Sequence, residues 1–104
     1  MPELRSSPRV PLACACILRR RTGSAIEGRT IDIGTGGMCV TTQRPLAADE
    51  VLHFDLPLPG RGGLVDGEAR VLREQGYGIY ALRFESLPEP ARAALARHSR
   101  SSMA

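Results

Sequence analysis

The chain has 104 residues, an apolar fraction of 42% and a formal net charge of +3, values that fit one small domain with a single hydrophobic core. Aromatic residues make up only 4% and Trp is absent, which argues against a base-stacking surface for single-stranded nucleic acid. The basic residues are arginines, and their mild excess suits an anionic small ligand as well as it suits nucleic acid.

The three cysteines, Cys14, Cys16 and Cys39, are odd in number and lack the spacing of a disulfide scaffold. Both histidines, His53 and His98, are far from any cysteine in sequence, so we expect no metal site. The N-terminal sequence is polar, shows no signal pattern and precedes no long apolar span. These features predict a reduced, cytoplasmic protein without a membrane-inserted segment.

The first half of the chain contains three predicted strands. Residues 10–18 are small and branched apolar residues, which indicates a buried strand. Residues 25–33 alternate, and the side chains expected to face the core are Ile26, Ile31 and Ile33. The glycine-rich residues 34–37 are expected to reverse the chain through positive φ angles, which glycine adopts readily. Residues 38–42 then form a hairpin with the preceding strand.

The second half predicts three more strands and a helix. Residues 50–58 alternate as a half-buried strand, and residues 64–72 and 77–84 form the last hairpin. A short helix follows the prolines after Phe84. The expected core side chains are Phe54, Leu56, Val71, Ile79, Leu82 and Phe84. Strands at intervals of about ten residues, followed by one helix, predict an all-β fold, a small six-stranded antiparallel barrel with one short C-terminal α-helix.

Two short motifs carry the chemistry. In "RSSPR" (5–9), Pro8 disfavours a helical backbone at Ser7, so Arg5 and Arg9 lie on an extended segment that spans roughly 13 Å at most. Two arginines at that separation suit the two sides of an anion, although a solvated N-terminal pair is the simpler interpretation. In "DIGTGG" (32–37), the pattern matches neither a P-loop nor a dinucleotide fingerprint. By itself it is a β-turn in which Asp32 bonds nearby amides.

Together, the two motifs resemble those of the PilZ domain family, which carries R-x-x-x-R and then [D/N]-x-S-x-x-G some twenty to thirty residues later. Arg5 and Arg9 complete the first motif, and Asp32 and Gly37 match the second. The strand "YALRF" resembles the family's closing strand. The resemblance covers nearly the whole chain. It implies a flexible N-terminal segment (1–8), a barrel with its C-terminal helix (9–98) and a disordered tail (99–104).

The resemblance implies a receptor for the bacterial second messenger cyclic di-GMP, not an enzyme, and no other cofactor. Arginines would bind phosphates and guanine edges, and the aspartate would accept hydrogen bonds from guanine. The implied ligand-binding residues are Arg5, Arg9, Asp32, Gly34 and Gly37. Without an attached output domain, a monomer or weak dimer would signal through an unidentified protein partner, and no DNA or RNA is expected.

The chain departs from the family pattern at Gly34, where serine is usual. Losing a hydrogen bond to a charged group costs roughly 1.5–3 kcal/mol, which corresponds to about ten- to a hundredfold in affinity. An alternative is therefore a PilZ-like adaptor that binds little or no nucleotide. A second alternative is a nucleic-acid-binding barrel that uses the arginine run 19–21, against which the sparse aromatic residues and modest charge argue. The roles of that run and of Arg83 stay open.

Overall fold

The fold consists of seven strands and one helix, and buried and exposed residues alternate along most of the strands. The computed structural model describes residues 9–60 and 62–103. Arg5 and the rest of the 1–8 segment lie outside these described residues, as does residue 104. The elements, in chain order, are β1 (Val10–Pro11), β2 (Ala15–Arg19), β3 (Ala25–Ile33), β4 (Gly37–Thr42), β5 (Val51–Leu58), β6 (Gly63–Gly76), β7 (Ile79–Ser86) and α1 (Glu89–Met103).

Strands β2 to β7 close into an antiparallel barrel. The neighbours run in the order β3, β2, β5, β6, β7 and β4, and β4 pairs back with β3 to close the sheet. Within residues 9–60 and 62–103, closure leaves no long unpaired strand edge in the barrel. The predicted six-stranded antiparallel barrel with a C-terminal helix is thereby confirmed, with one addition: the two-residue strand β1 pairs with the end of β3.

The barrel interior is filled by one face of each strand. On β5, Leu52, Phe54 and Leu56 are fully buried, whereas His53 between them is exposed. Each fully buried side chain of this size contributes about 1.5–3 kcal/mol relative to an exposed one. Phe54 stacks on Phe84 of β7 with ring centroids 5.2 Å apart. Of the expected core residues, Ile79 and Phe84 are only partly buried, and the other four are buried.

The helix α1 packs against β6 and β1. Its buried positions Ala91, Ala94 and Leu95 form an apolar stripe that faces the barrel. The helix continues through Met103, so it includes positions 99–103, which the sequence analysis assigned to the tail. Burial of Ser99 explains the extension, since packing against the body stabilises a helix beyond its own propensity. No helix among the described residues is long and apolar enough to cross a membrane.

The predicted strand 10–18 is divided, because β3 contains a bulge. The β3–β4 register shifts between Thr30 and Asp32, and β1 and β2 pair with β3 on the two sides of this irregularity. The buried Thr30 hydroxyl holds the connection between β1 and β2, since it donates to the Leu12 carbonyl at 2.7 Å and accepts from the Cys14 amide at 3.0 Å. The bulge also breaks the period-2 alternation. As a result Ile31 is exposed, and its predicted place in the core is wrong.

The turn that leads from β3 into β4 is tight but does not use left-handed glycines. The Gly34 amide donates to the Gly37 carbonyl at 2.9 Å, which closes the reversal. Positive φ angles occur at glycines 23, 60, 63 and 78, and not at the glycines of this turn. The reason given for these glycines in the sequence analysis is therefore wrong, and for Gly37 the structure supplies another.

Candidate functional site

The two sequence motifs meet on the outer face of the barrel through Arg9 and Asp32. The Arg9 Nη1 nitrogen donates to the Asp32 Oδ1 oxygen at 2.9 Å, across 23 residues of sequence. The side chains are 20% and 35% exposed, so this ion pair is partly desolvated yet reachable from solvent. An arginine has five N–H donors and this bond uses one of them.

Local strand geometry puts the pair in place. Strand β1 begins directly after Arg9 and aligns Pro11 with Asp32 on β3. The bulge before Asp32 lets its carboxylate lie on the outer face, while Thr30 and Ile33 on either side are buried. Asp32 is half-buried on the outer face, where alternation with Ile33 also predicts it, and the residue that the register shift moves out of the core is Ile31.

Gly37 is required by close approach of its neighbours. A Cβ atom built on Gly37 would overlap the Leu82 carbonyl oxygen of β7, and it would lie 3.3 Å from both the Arg83 Cα and the Arg9 Nη2. Glycine thus permits β4 to pair with β7 and leaves space above the strand for the Arg9 guanidinium group. This residue supports the barrel closure and the arginine position at once.

A buried thiol adjoins the ion pair. Cys39 pairs with Asp32 in the β3–β4 register, and its Sγ donates to the Gln75 Oε1 oxygen at 3.3 Å. Burial raises the pKa of the Cys39 thiol, the Asp32 carboxylate raises it further and Arg9 opposes the rise. The thiol is therefore a neutral donor. Cys39 and Gln75 belong to no motif, and the sequence analysis missed them because the hairpin register depends on the bulge.

Arg83 lies beside this group on the same outer face. It pairs with Gly37 on one side and with Arg70 on the other. The Glu85 carboxylate binds both arginines: Arg83 Nη2 donates to Oε2 at 2.8 Å, and Arg70 Nη2 donates to Oε1 at 3.3 Å. These bonds lower the pKa of the Glu85 carboxyl and raise the pKa of Arg70. The spacing of Arg83 and Glu85 on one strand face was the available sequence signal for this cluster.

The structure brings together three of the five predicted ligand-binding residues. Arg9, Asp32 and Gly37 lie within one small area of the outer face. Gly34 stands at the start of the adjoining turn, and Arg5 is outside the described residues. A model of the PilZ domain matches residues 3–101 of the sequence. The chain belongs to the PilZ domain family.

Solved PilZ structures share this fold over nearly the whole chain. The PilZ domain of YcgR from Escherichia coli, solved with c-di-GMP, is 16% identical and has a TM-score of 0.78; the alignment covers 97% of this chain and 92% of that one. The K. pneumonia MrkH–c-di-GMP complex is 18% identical and has a TM-score of 0.81; the alignment covers 99% of this chain and 54% of that one. No curated protein sequence matches the chain.

The Bacillus subtilis inhibitor of motility MotI has the same fold, with 18% identity and a TM-score of 0.80, and the alignment covers 98% of this chain and 52% of that one. The chain thus spans about half the length of MotI and MrkH, and nearly all of the isolated YcgR PilZ domain. At these identities the likeness establishes a common fold.

The arginine run 19–21 of this PilZ domain is largely held in ion pairs. Arg19 Nε lies 3.4 Å from an Asp55 carboxylate oxygen. Arg20 Nε donates to Glu50 Oε2 at 2.7 Å, and Arg20 also donates to the Pro45 carbonyl. The run therefore connects the β2–β3 turn to the segment before β5. Arg21 is exposed.

In the part of the chain that the structure describes, one group of side chains could hold a metal ion, and it lies on β5 and β6. His53 Nε2 is 3.5 Å from Asp55 Oδ1 and 3.7 Å from Asp66 Oδ2. The ligand atoms lie within 4.8 Å of one another. The sequence did not indicate this group, because Asp66 is brought to His53 and Asp55 only by the pairing of β5 with β6. Arg19 already supplies a positive charge to Asp55, so the group is balanced in part without an ion.

Two clefts of the PilZ barrel lie away from the ion pair. Their volumes are about 420 and 460 Å³, and residues 41–44 line both. These residues include the last two of β4 and the two that follow, at the end of the strand opposite Gly37. Arg9 and Asp32 line neither of these two clefts.

Proposed function

We propose that this PilZ domain is a receptor for cyclic di-GMP, and that the ligand binds over the Arg9–Asp32 ion pair. The observation that carries the proposal is the 2.9 Å contact between Arg9 and Asp32, which unites the family's two motifs on one surface. Cyclic di-GMP in the solved YcgR and MrkH structures supports it. The proposal assigns direct ligand contacts to Arg5, Arg9 and Asp32.

The chemistry of these groups fits the ligand. A guanidinium fork matches two phosphate oxygens or the O6 and N7 atoms of guanine. The Asp32 carboxylate offers acceptors for the N1–H and exocyclic amine of the opposite guanine edge. Gly37 contributes by leaving room for the Arg9 guanidinium. Gly34 offers its backbone but no hydroxyl, so we expect weaker binding than a serine at this position would give.

The response to the ligand would pass to another protein. The proposed role is recognition. Arg9 and Asp32 neutralise each other in the structure. A ligand that takes up their hydrogen bonds would change the charge and shape of this face, and a partner protein would recognise the difference. An adaptor that works without nucleotide is the competing hypothesis.

Isothermal titration of cyclic di-GMP into the purified protein tests the proposal. We expect saturable binding that Arg9→Ala weakens by about ten- to a hundredfold, because the variant loses a charge-assisted bond and leaves Asp32 without its partner. Arg44→Ala is the matched control, since it removes the same charge beyond the far end of β4. No heat from the wild type at ligand concentrations on the order of hundreds of micromolar would reject the receptor and favour the adaptor.

A further inference from the structure

The Arg70–Glu85–Arg83 cluster extends the candidate site along the barrel face. Gly37 of β4 and Arg83 of β7 are directly paired, and the Arg9 guanidinium lies above Gly37. Arg83 points outward, since Leu82 before it is fully buried. Adjacent strands are about 4.8 Å apart, so the Arg83 side chain starts one strand away from the position of Arg9. The distance is small compared with the reach of an arginine.

Glu85 is bound by two arginines in a way that lets one of them leave. Arg70 contacts both carboxylate oxygens, with Nη2 to Oε1 and Nε to Oε2 both at 3.3 Å. Arg83 shares the Oε2 oxygen. If Arg83 turned away, Glu85 would keep its contacts with Arg70, and no carboxylate would lose its only counter-ion. Arg83 is 58% exposed and its side chain is free to rotate toward solvent.

The charges also favour a role for Arg83. Cyclic di-GMP carries two phosphate charges, and Arg9 is neutralised by Asp32. The Arg70–Glu85–Arg83 cluster carries a net charge of +1, which is available to one of the two phosphates. A dianion that covers both areas would meet this positive charge.

We infer that Arg83 is a further ligand-binding residue: it exchanges the Glu85 carboxylate for a phosphate of the nucleotide, and Glu85 competes with the ligand for it. The inference rests on the proposed function, because it extends the same site. Glu85 thereby lowers the affinity, and Arg70 holds Glu85 once Arg83 has moved.

Titration of cyclic di-GMP into four variants tests the inference. We expect Arg83→Ala to weaken binding by about ten- to a hundredfold, Arg83→Lys to retain part of the affinity, and the control Arg44→Ala to stay within about twofold of the wild type. Glu85→Gln should tighten binding by about two- to fivefold, since an exposed ion pair of this strength no longer competes. A merely structural role for Arg83 would not produce opposite effects for the two partners.

The possible outcomes distinguish a failure of the Arg83 role from a failure of the receptor function. If the wild type binds and Arg83→Ala binds equally well, the inference is wrong and the receptor stands. If Glu85→Gln weakens binding as Arg83→Ala does, Glu85 positions Arg83 and does not compete, which overturns the competition. If the wild type gives no heat, the receptor function itself is wrong. Circular dichroism melts of each variant show whether a loss of binding reflects a loss of fold.

Discussion

Replacing Gly37 with alanine tests whether this position serves both the barrel and the site. The added methyl group would overlap the Leu82 carbonyl oxygen and press on the Arg83 Cα, and both are backbone atoms of the paired strand β7. Backbone cannot yield by a change of rotamer, so β4 and β7 must separate locally. The same methyl would stand 3.3 Å from the Arg9 Nη2 nitrogen, and the guanidinium group would be displaced.

The expected cost follows from these contacts. Overpacking by one methyl group destabilises a protein by about 1–3 kcal/mol, and the entropy gained from replacing glycine offsets about 0.4–1 kcal/mol of this. Because the overlapped atoms belong to the backbone, we expect the upper half of the overpacking range, about 2–3 kcal/mol, and hence a net loss in the free energy of unfolding of about 1–2.6 kcal/mol. For a domain of this size each kcal/mol lowers Tm by about 4–8 °C, so the melting temperature should fall by about 4–21 °C.

Thermal unfolding followed by circular dichroism measures the effect, with Gly76→Ala as the matched control. A Cβ at Gly76 meets only the Ile79 side chain, at an ordinary 3.7 Å, and its φ is not positive. The control should be as stable as the wild type or slightly more so. A Gly37→Ala protein with the melting temperature of Gly76→Ala would refute the close approach of β4 and β7 at this point.

The remaining predictions concern affinity and pH. Gly34→Ser should tighten cyclic di-GMP binding by about tenfold in titration, because the φ of Gly34 is not positive and serine can adopt it; unchanged affinity would show that the missing hydroxyl is immaterial. Burial raises the pKa of the Cys16 thiol from 9.0 to about 11. Between these values the unfolded chain has lost a proton that the folded chain keeps, so stability should fall from about pH 9 upward, at no more than about 1.4 kcal/mol per pH unit. Urea denaturation from pH 8 to 11 measures this, and the fall should be smaller in Cys16→Ala.

Much of the fold could be predicted because strand periodicity is a local signal. The predicted strand 25–33 coincides with β3, and the alternation of residues 50–58 places the correct face of β5 in the core. The division of the first strand and the exposure of Ile31 could not be predicted. Both depend on a bulge in which two residues of β3 lie opposite one residue of β4. The contacts that stabilise the bulge come from partner strands that are distant in sequence, so no local pattern reveals it.

The candidate site also contains some residues that the sequence could indicate and others that it could not. Arg9 and Asp32 could be named because a family motif marks them, but their contact arises from the pairing of β1 with the end of β3. Cys39, Gln75 and the Glu85 cluster have no motif, so only the strand registers bring them beside the ion pair. The motifs therefore mark the candidate residues, and the strand registers decide which other side chains lie beside them.

The arginines of this face are already paired with carboxylates, Arg9 with Asp32 and Arg83 with Glu85. Such pairing limits the cost of leaving guanidinium groups partly desolvated on a sheet surface. It also means that an anionic ligand gains only the difference between its own contacts and those that it replaces. A site of this kind binds through competition, so its affinity should depend on the two carboxylates as much as on the arginines. Substituting the carboxylates separately tests the two proposed roles: under the proposal Glu85 would oppose the ligand, whereas Asp32 would both restrain Arg9 and accept hydrogen bonds from guanine.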